Sequence, residues 1–261
     1  MGRQSMINGI RVFAATVCCA LMVAGSGAAE AGSIVRTGFE MPKDRQLKIV
    51  VFRPDVQVGT MRTTVEEPNA EWTDTARKNI RAAMEDQAKS QGLQLQFLGD
   101  YEGTDGETLD QYRALFTAVG AAAATHGVFG NRLPTKFEAK TGPDGKRPYR
   151  IDWTMGEQVS RLKQITGGDY ALFFMTHDAY SSGGRKAASF MAAALLGVYV
   201  PTGVHVGYAG LVDLHNGDLV WFNTDFAMGG DPRETDGAAK RVGQLLSGFP
   251  GSTPTVPVAA K

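Results

Sequence analysis

Two short apolar segments, separated by a long amphipathic one, occupy the first half of the sequence. Leu47–Phe52, LKIVVF, is rich in β-branched residues and is followed by Pro54, so it predicts a buried strand. Apolar residues recur at helical spacing from Trp72 to Ala88, which predicts an amphipathic helix that ends at Gly92. The alternation in Leu93–Leu98 predicts a second strand. Because a helix connects these strands, we expect them to pair in parallel through a right-handed crossover.

Two further helices and a third strand are predicted next along the chain. Thr104 with Glu107, and Thr154 with Glu157, have the spacing of a capping box, in which two side chains satisfy free amide groups at a helix start. Apolar residues at helical spacing follow each pair. Tyr170–Thr176, YALFFMT, then predicts a third strand.

A β-hairpin is the clearest local pattern in the chain. Val204–His215 and Asp218–Asp225 flank the dipeptide Asn216-Gly217, which is typical of a two-residue type I′ turn. Such a turn implies a register in which Val212 faces Trp221. Both faces of the hairpin carry large apolar side chains, so we expect it to be covered on both sides.

A final helix, with apolar residues from Ala238 to Phe249 on one face, closes the pattern. The sequence therefore predicts an α/β fold of the α+β kind, with a single mixed β-sheet flanked by helices, a C-terminal β-hairpin and a closing helix. The predicted organisation is a signal peptide at 1–31, an N-terminal arm at 32–46, a single domain at 47–250 with insertions at 127–150 and 181–203, and a disordered tail at 251–261.

The N-terminal segment has the order of regions found in a secretory signal. Two arginines precede an apolar run, Val12–Val23, and the small-residue stretch Ala24–Ser33 follows it. The apolar run is shorter than the about 18 to 20 residues that an unbroken membrane span needs. We expect export and cleavage after Ala29 or Ala31, because small side chains occupy the positions that the peptidase recognises. An uncleaved N-terminal anchor is the alternative.

Both cysteines of the chain, Cys18 and Cys19, lie inside this signal. The mature chain therefore has no thiol, which excludes disulfides, thiolate nucleophiles and cysteine metal sites. Acylation of a cysteine in a bacterial lipoprotein requires a small residue immediately before it, whereas Val17 precedes Cys18. We expect no lipid anchor.

The mature chain is almost neutral. Removing residues 1–31 leaves 25 basic and 26 acidic residues of the 27 of each kind in the full sequence. A nucleic-acid-binding protein usually carries a clear basic excess, because it must displace the counterions condensed on the phosphates. We therefore expect no nucleic-acid partner.

The order of the elements resembles a known envelope fold. Gly168–Leu172 leads from a helix into a strand, and Leu211–Trp221 has the hairpin pattern apolar-Asp-x-x-x-Gly-x-apolar-Trp before the closing helix. Together with Leu47–Phe52 and the long helix after it, this order is similar to the amino-terminal domain of TolB and to the related CsgG-like and LpoB-like envelope proteins. The resemblance covers about residues 47–249.

This resemblance implies a mostly non-catalytic protein that docks to other envelope proteins, to peptidoglycan-building machinery or to copies of itself. The sequence departs from the family pattern in two ways. It lacks the lipidated cysteine of many members, so anchoring by acyl chains is in doubt. It also has extra segments at 127–150 and 185–203, where its own specificity could reside.

Acidic residues and one histidine follow the predicted strands. If the strands are parallel, their carboxyl ends bring together a candidate metal cluster: Asp55, Asp100, Glu102, His177 and Asp178. These carboxylates and the imidazole could hold a divalent cation and activate water. The simpler interpretation is that loops are polar and aspartates cap helices, and the spacing matches no recognised ligand motif.

Motifs of exported hydrolases are absent from the sequence. There is no Gly-x-Ser-x-Gly elbow and no His-Glu-x-x-His pair. His205 and His215 fall in the predicted hairpin, where a residue on the sheet surface or in the turn is a simpler interpretation than a ligand. The sequence therefore identifies no catalytic residue and no cofactor.

Two segments are predicted to bind a partner. Ala187–Val200 is almost entirely apolar, and it could be buried in its own chain, cover a partner or touch a membrane surface. Residues 127–150 hold six basic and two acidic side chains. The partner-binding residues predicted from these segments are Phe190, Met191, Leu195, Leu196, Tyr199, Lys136, Lys140, Lys146 and Arg147.

These observations predict an exported, non-catalytic interaction or assembly module of the bacterial cell envelope. We expect it in the periplasm, with association to the outer membrane possible, and we expect its partner to be an envelope protein or a second copy. Peripheral membrane contact stays open, and no small-molecule substrate is identified. The alternative is a metal-dependent hydrolase that uses the strand-end carboxylates.

Overall fold

The computed structural model describes residues 32–62, 65–128, 151–181 and 203–251, which belong to one compact unit, Ala31–Lys261. Eight strands and four helices lie in these described residues. The strands are β1 (Gly32–Val35), β2 (Ile49–Val51), β3 (Asp55–Met61), β4 (Glu66–Pro68), β5 (Leu95–Phe97), β6 (Tyr170–Ser181), β7 (Gly203–Asp213) and β8 (Leu219–Asp225). The helices are α1 (Ala70–Gln91), α2 (Gly103–Val128), α3 (Ser160–Thr166) and α4 (Thr235–Leu245).

All eight strands belong to one mixed sheet. Its main path runs β1-β8-β7-β6-β2-β5, and β3 joins it by pairing with β6 and β4. β2 is parallel to β5 and β6, whereas β7 and β8 form an antiparallel hairpin and β1 adds to β8. The predicted single mixed sheet with flanking helices is confirmed. The predicted parallel pairing of the first two strands is also confirmed, and the third strand is parallel to the first.

β2 and β3 together form one interrupted strand along β6. Val51 is the last β2 residue opposite β6, at Leu172, and Asp55 resumes the pairing at Met175. Three residues, 52 to 54, therefore stand opposite two, which makes a local bulge at Pro54, a residue without an amide hydrogen. The sequence interpretation ended the strand at Phe52 and missed β3, although Val56 and Val58 alternate with polar residues and both are buried.

Helices cover both faces of the sheet. α1 and α4 pack on one face, where Ile80, Met84, Val242 and Trp221 belong to one buried cluster. α2 and α3 pack on the other face, where the buried cluster contains aromatic rings in contact. Phe173 stacks between Phe52 and Phe116, with ring centroids 4.3 and 4.4 Å apart. The sheet is covered on both sides, as its large apolar residues on both faces predict.

α1 ends at Gly92, as predicted, and begins after an N-cap that was not predicted. The side chain of Asn69 accepts a hydrogen bond from the Trp72 amide at the start, and Gly92 ends the helix with a φ of 67°. A left-handed residue at this point lets its amide bond back to Ala88 and Lys89, and glycine adopts that conformation without a Cβ penalty.

The two predicted capping boxes are wrong. α2 begins at Gly103, so Thr104 already lies inside the helix. Thr154 makes an isolated bridge with Asp218, and its hydroxyl bonds the Gly156 amide and the Gly217 carbonyl. Gly103, with φ 64°, is the first residue of α2, and Gly156, with φ 82°, precedes a short 3₁₀ turn, Glu157–Val159, that leads into α3.

The hairpin exists where predicted, but its register differs by one residue from Gly207, opposite Asp225, to Leu211, which faces Trp221 in place of Val212. A bulge between Leu211 and Val212 shifts the register by one more residue near the turn. The Asp213 amide bonds the Asp218 carbonyl, so four residues, 214 to 217, form the loop, and only Gly217 among them has positive φ; the turn is therefore not type I′. The cause is Leu214, which is fully buried and whose amide bonds the Asp169 carbonyl.

β6 and β7 are longer than the predicted strands and pair along their whole length, from Tyr170 opposite Asp213 to Tyr180 opposite Gly203. The connecting segment, 182–202, therefore leaves β6 and joins β7 at the same end of these two strands. Among the described residues, no helix combines the length and the apolar character needed to cross a membrane.

Candidate functional site

The structure does not bring the five residues of the predicted metal cluster together. Asp55 begins β3, while Asp100 and Glu102 are exposed between β5 and α2. β6 continues past its predicted end, so His177 and Asp178 are consecutive strand residues that point to opposite faces of the sheet. Within the described residues, no group of three or more His, Cys, Asp or Glu side chains could hold a metal ion.

The partner-binding residues predicted from the sequence all lie outside the described residues. They are Phe190, Met191, Leu195, Leu196 and Tyr199 in the segment 182–202, and Lys136, Lys140, Lys146 and Arg147 in the segment 129–150. The described residues locate only the ends of the two segments. The first leaves β6 at Ser181 and returns at Gly203, and the second connects Val128 to the buried Ile151.

A buried polar network lies near the end of β6 from which segment 182–202 departs. The Asp178 side chain is fully buried between β6, β7 and α4. Its Oδ1 lies 2.5 Å from Arg241 Nη2 and 2.7 Å from His205 Nδ1, and its Oδ2 accepts a hydrogen bond of 3.1 Å from Thr176. Both carboxylate oxygens are therefore occupied by groups of the same chain.

Arg241 carries the positive charge of this network. It lies on the buried face of α4 together with Ala238, Val242 and Leu245. Its Nε donates to the Gly230 carbonyl at 2.8 Å, and its Nη1 donates to Thr176 Oγ1 at 3.2 Å. A guanidinium without a counterion would be strongly unfavourable at this depth, so Asp178 and Arg241 require each other.

His205 connects the buried network to the surface. Its side chain is 32% exposed, and its ring lies 5.0 Å from that of Tyr180. Because Asp178 accepts at Nδ1, that nitrogen carries the hydrogen, and Nε2 is the atom left for other contacts. An oriented Asp–His pair supplies two of the three members of a nucleophilic triad, but within the described residues the His205 ring bonds only Asp178 and no nucleophile.

A cation stacked between aromatic rings lies beside His205. The Arg233 guanidinium is 4.3 Å from the Trp72 ring centre and 4.2 Å from that of Tyr180, and it pairs with Asp231 at 2.5 Å. Hydrogen bonds from Arg233 lower the pKa of Asp231 to about 2. Burial, and then the nearby charges of Asp178 and Asp231, raise the pKa of Tyr180 above its ordinary value.

A second histidine pair lies on the other face of β6. His177 Nε2 is 2.7 Å from Glu66 Oε1, and both side chains are about one third exposed or less. This contact fastens the β3–β4 hairpin to β6. The sequence interpretation did not single out Glu66, because it predicted no strand β4.

The polar network of Asp178 was also missed at the sequence level. His205 was interpreted as a residue of the sheet surface, although its side chain reaches a buried carboxylate. The available signal was Arg241, a single charge in the otherwise apolar stripe of α4. Such a residue predicts a buried acid elsewhere, but the sequence does not say which one. His215 lies in the turn, as predicted, where its amide bonds Asp213 Oδ1 at 2.8 Å.

A cavity of 840 Å³ lies at the opposite end of the parallel strands, under the N-terminal arm. It is lined by mixed polar and apolar residues, including Glu40, Met41, Arg45, Leu47 and Leu93. A smaller cavity of 130 Å³ lies at the carboxyl end of β5. None of the charged side chains that line these two cavities is buried.

Comparisons with known proteins find distant structural neighbours and no sequence relative. No protein-family model matches the chain, and no curated protein matches it. The chain is similar to a PelC dodecamer from Paraburkholderia phytofirmans, with 11% identity, a TM-score of 0.36, and coverage of 87% of this chain and 99% of that one. A point variant of that dodecamer gives 11% identity, a TM-score of 0.34, and coverage of 85% and 99%.

The chain is also similar to the lipoprotein GNA1162 from Neisseria meningitidis, with 13% identity and a TM-score of 0.26. This similarity covers 69% of this chain and 78% of that one. At these TM-scores the similarities assign neither a family nor a function. The narrower resemblance to TolB, CsgG-like and LpoB-like proteins stays a prediction.

Proposed function

We propose that this chain is an exported, non-catalytic interaction or assembly module of the bacterial cell envelope, acting in the periplasm or at the outer membrane. The observation that supports this proposal most is the state of Asp178. Both of its oxygens are occupied by Arg241, His205 and Thr176, so this acid holds β6, β7 and α4 together. Asp178 therefore has no oxygen free to act as a general base, and among the described residues no nucleophile bonds the free Nε2 of His205.

Export is supported by the order of basic, apolar and small residues at the N-terminus. The loss of both cysteines with the signal suits an oxidising compartment, because no thiol would remain to be oxidised. The mature chain would begin at or just before β1.

The proposed interaction surface includes segment 182–202 and the basic segment 129–150. Both ends of segment 182–202 meet the sheet beside Tyr180 and Gly203, so any partner bound there approaches this end of β6 and β7. A segment rich in alanine, leucine and aromatic residues suits an apolar partner surface. The proposed partner is an envelope protein or a second copy of this chain.

Photo-crosslinking in living cells tests this proposal. A photoreactive phenylalanine analogue is placed at Phe190 or Tyr199 in the full-length exported chain, and at Tyr101 as a matched aromatic control that is 37% exposed on the described surface. We expect crosslinks from the first two positions to one defined protein, either this chain or an envelope protein. Tyr101 should give none.

Two results would count against the proposal. The first is the absence of crosslinks at Phe190 and Tyr199 in a folded, exported protein. The second is the recovery of the uncleaved chain from the cytoplasm only. Crosslinking to lipid alone would replace the protein partner with a membrane surface.

A divalent-cation screen separates this proposal from a metal-dependent hydrolase. Because the five acidic and histidine residues lie apart, we expect Mg²⁺, Mn²⁺ and Zn²⁺ to leave the melting temperature of the mature protein unchanged. A stabilisation of several degrees that Asp100→Asn and Asp55→Asn abolish would favour the hydrolase. Both residues are chosen because neither belongs to the buried network.

A further inference from the structure

β1 forms an open edge of the sheet. Among the described strands it pairs with β8 alone, and the Arg36 amide donates to the Val220 carbonyl at 2.8 Å. Main-chain groups alternate in direction along a strand, so Ile34 also bonds β8. Ser33 and Val35 therefore direct their amide and carbonyl groups away from β8. In the described part of the chain no other strand pairs with them.

The other two open edges are protected, and β1 is not. β4 consists of Glu66, Glu67 and Pro68, and both charge and proline oppose the addition of a strand. β5 has only three residues, beside a hydrogen bond between the side chains of Gln46 and Gln94. β1 is Gly-Ser-Ile-Val, with no charge, no proline and no bulge.

β1 is also held firmly in place. Arg36, directly after the strand, pairs with Asp218 at 3.2 Å and lies 3.8 Å from Asp152. Ile34 packs against the cluster on the α2 side of the sheet, and Ser33 fits against Gly248, where a Cβ atom would overlap its hydroxyl. An edge with this support presents its free main-chain groups in a fixed direction, which lowers the entropy cost of adding a strand.

We propose that β1 is a self-association surface that pairs antiparallel with β1 of a second copy. A two-fold axis through Ile34 places Ser33 of each copy opposite Val35 of the other. The outward amide and carbonyl groups of these two residues then form four hydrogen bonds, and the two sheets continue into one. This surface is separate from segment 182–202.

A second copy fits this edge better than a charged partner does. β1 has no charged side chain, so the pairing brings no like charges together, and the flanking Arg36 is already neutralised by Asp218. The chain itself cannot cover the edge from its N-terminus. This step rests on the proposed export, because cleavage after Ala29 or Ala31 leaves at most two residues before Gly32.

The test compares lysine substitutions at two exposed valines of the full mature chain. Val35 is 44% exposed on β1, and Val65 is 63% exposed beside β4. Sedimentation velocity is recorded over a range of concentrations. We expect Val35→Lys to halve the particle mass and to weaken dimerisation at least tenfold, because lysine on an edge strand blocks pairing. Val65→Lys should match the unsubstituted protein.

A second variant and a local measurement distinguish loss of strand pairing from misfolding. Ser33→Pro removes an outward amide and leaves the bonds to β8 intact, so it should also dissociate the dimer while circular dichroism stays unchanged. Amide exchange at Ser33 and Val35 should slow as concentration rises. An unsubstituted protein that is monomeric at every concentration, or a particle mass that neither variant lowers, would overturn the proposal. Crosslinking from Phe190 would be unaffected, so the two proposals fail separately.

Discussion

Arg241 brings a positive charge into a part of the core that is otherwise apolar. Its partner Asp178 lies 63 positions earlier in the chain, on a strand whose end was predicted before it. The apolar stripe of α4 is predictable from the sequence, and the charge within it is visible there. The identity of the acid is not predictable, because it depends on the register of β6 against β7 and on where α4 crosses them.

Removing the charge of Arg241 tests this dependence. Arg241→Met leaves Asp178 buried without its cation, so we expect a loss of about 3 to 5 kcal/mol in the free energy of unfolding by urea. Lys240→Met, at the exposed neighbouring position, should change it by less than about 0.5 kcal/mol. Adding Asp178→Asn to Arg241→Met should recover part of the loss. A loss below about 1 kcal/mol for Arg241→Met would show that the pair is not buried as described.

Asp231 predicts a specific acid sensitivity. Hydrogen bonds from Arg233 lower its pKa from 3.8 to about 2, so the folded state favours the ionised form. The stabilisation is complete above the unfolded-state pKa and is lost as pH falls from about 4 to about 2. Asp231→Asn should therefore flatten the decline of stability across this window. The free energy of unfolding by urea, measured at pH 7, 4 and 2.5, tests this. An equal decline with falling pH in the unsubstituted protein and in Asp231→Asn would contradict it.

At the scale of elements, regular patterns were predicted well and irregular ones were not. α1 follows from the spacing between Trp72 and Ala88 and from Gly92, because both signals are local. β3 was missed because a proline before it indicated the end of a strand, whereas β3 resumes pairing after a bulge. The hairpin register was wrong because the burial of Leu214 overrides the local preference of Asn216-Gly217 for a two-residue turn.

The turn between β7 and β8 can be tested at Gly217. Its φ is 81°, and a Cβ atom would overlap the backbone of Gly156. Gly92 has a similar φ of 67° but faces open space, so a substitution there measures the backbone strain without the overlap. We expect Gly92→Ala to cost about 1 kcal/mol and Gly217→Ala to cost clearly more. Equal losses of melting temperature would mean that the turn can move away from Gly156.

At the scale of the whole molecule, the composition and the order of elements predicted the mixed sheet with helices on both faces. The polar network could not be predicted from the sequence, since it joins three elements that meet only in the folded chain. The proposed function rests on one feature of the sequence and one feature of the structure. Export comes from the N-terminal pattern, and the internal use of Asp178 comes from the structure.

The particle mass of the exported protein tests the central claim most directly. Light scattering compares the mature chain with a variant in which a short Gly/Ser linker replaces residues 182–202. We predict that the intact protein forms a larger particle than the linker variant, and that the variant keeps its circular dichroism and cooperative melting. Equal masses for two folded proteins, with no envelope protein bound to the intact chain, would contradict the account of this chain as an assembly module.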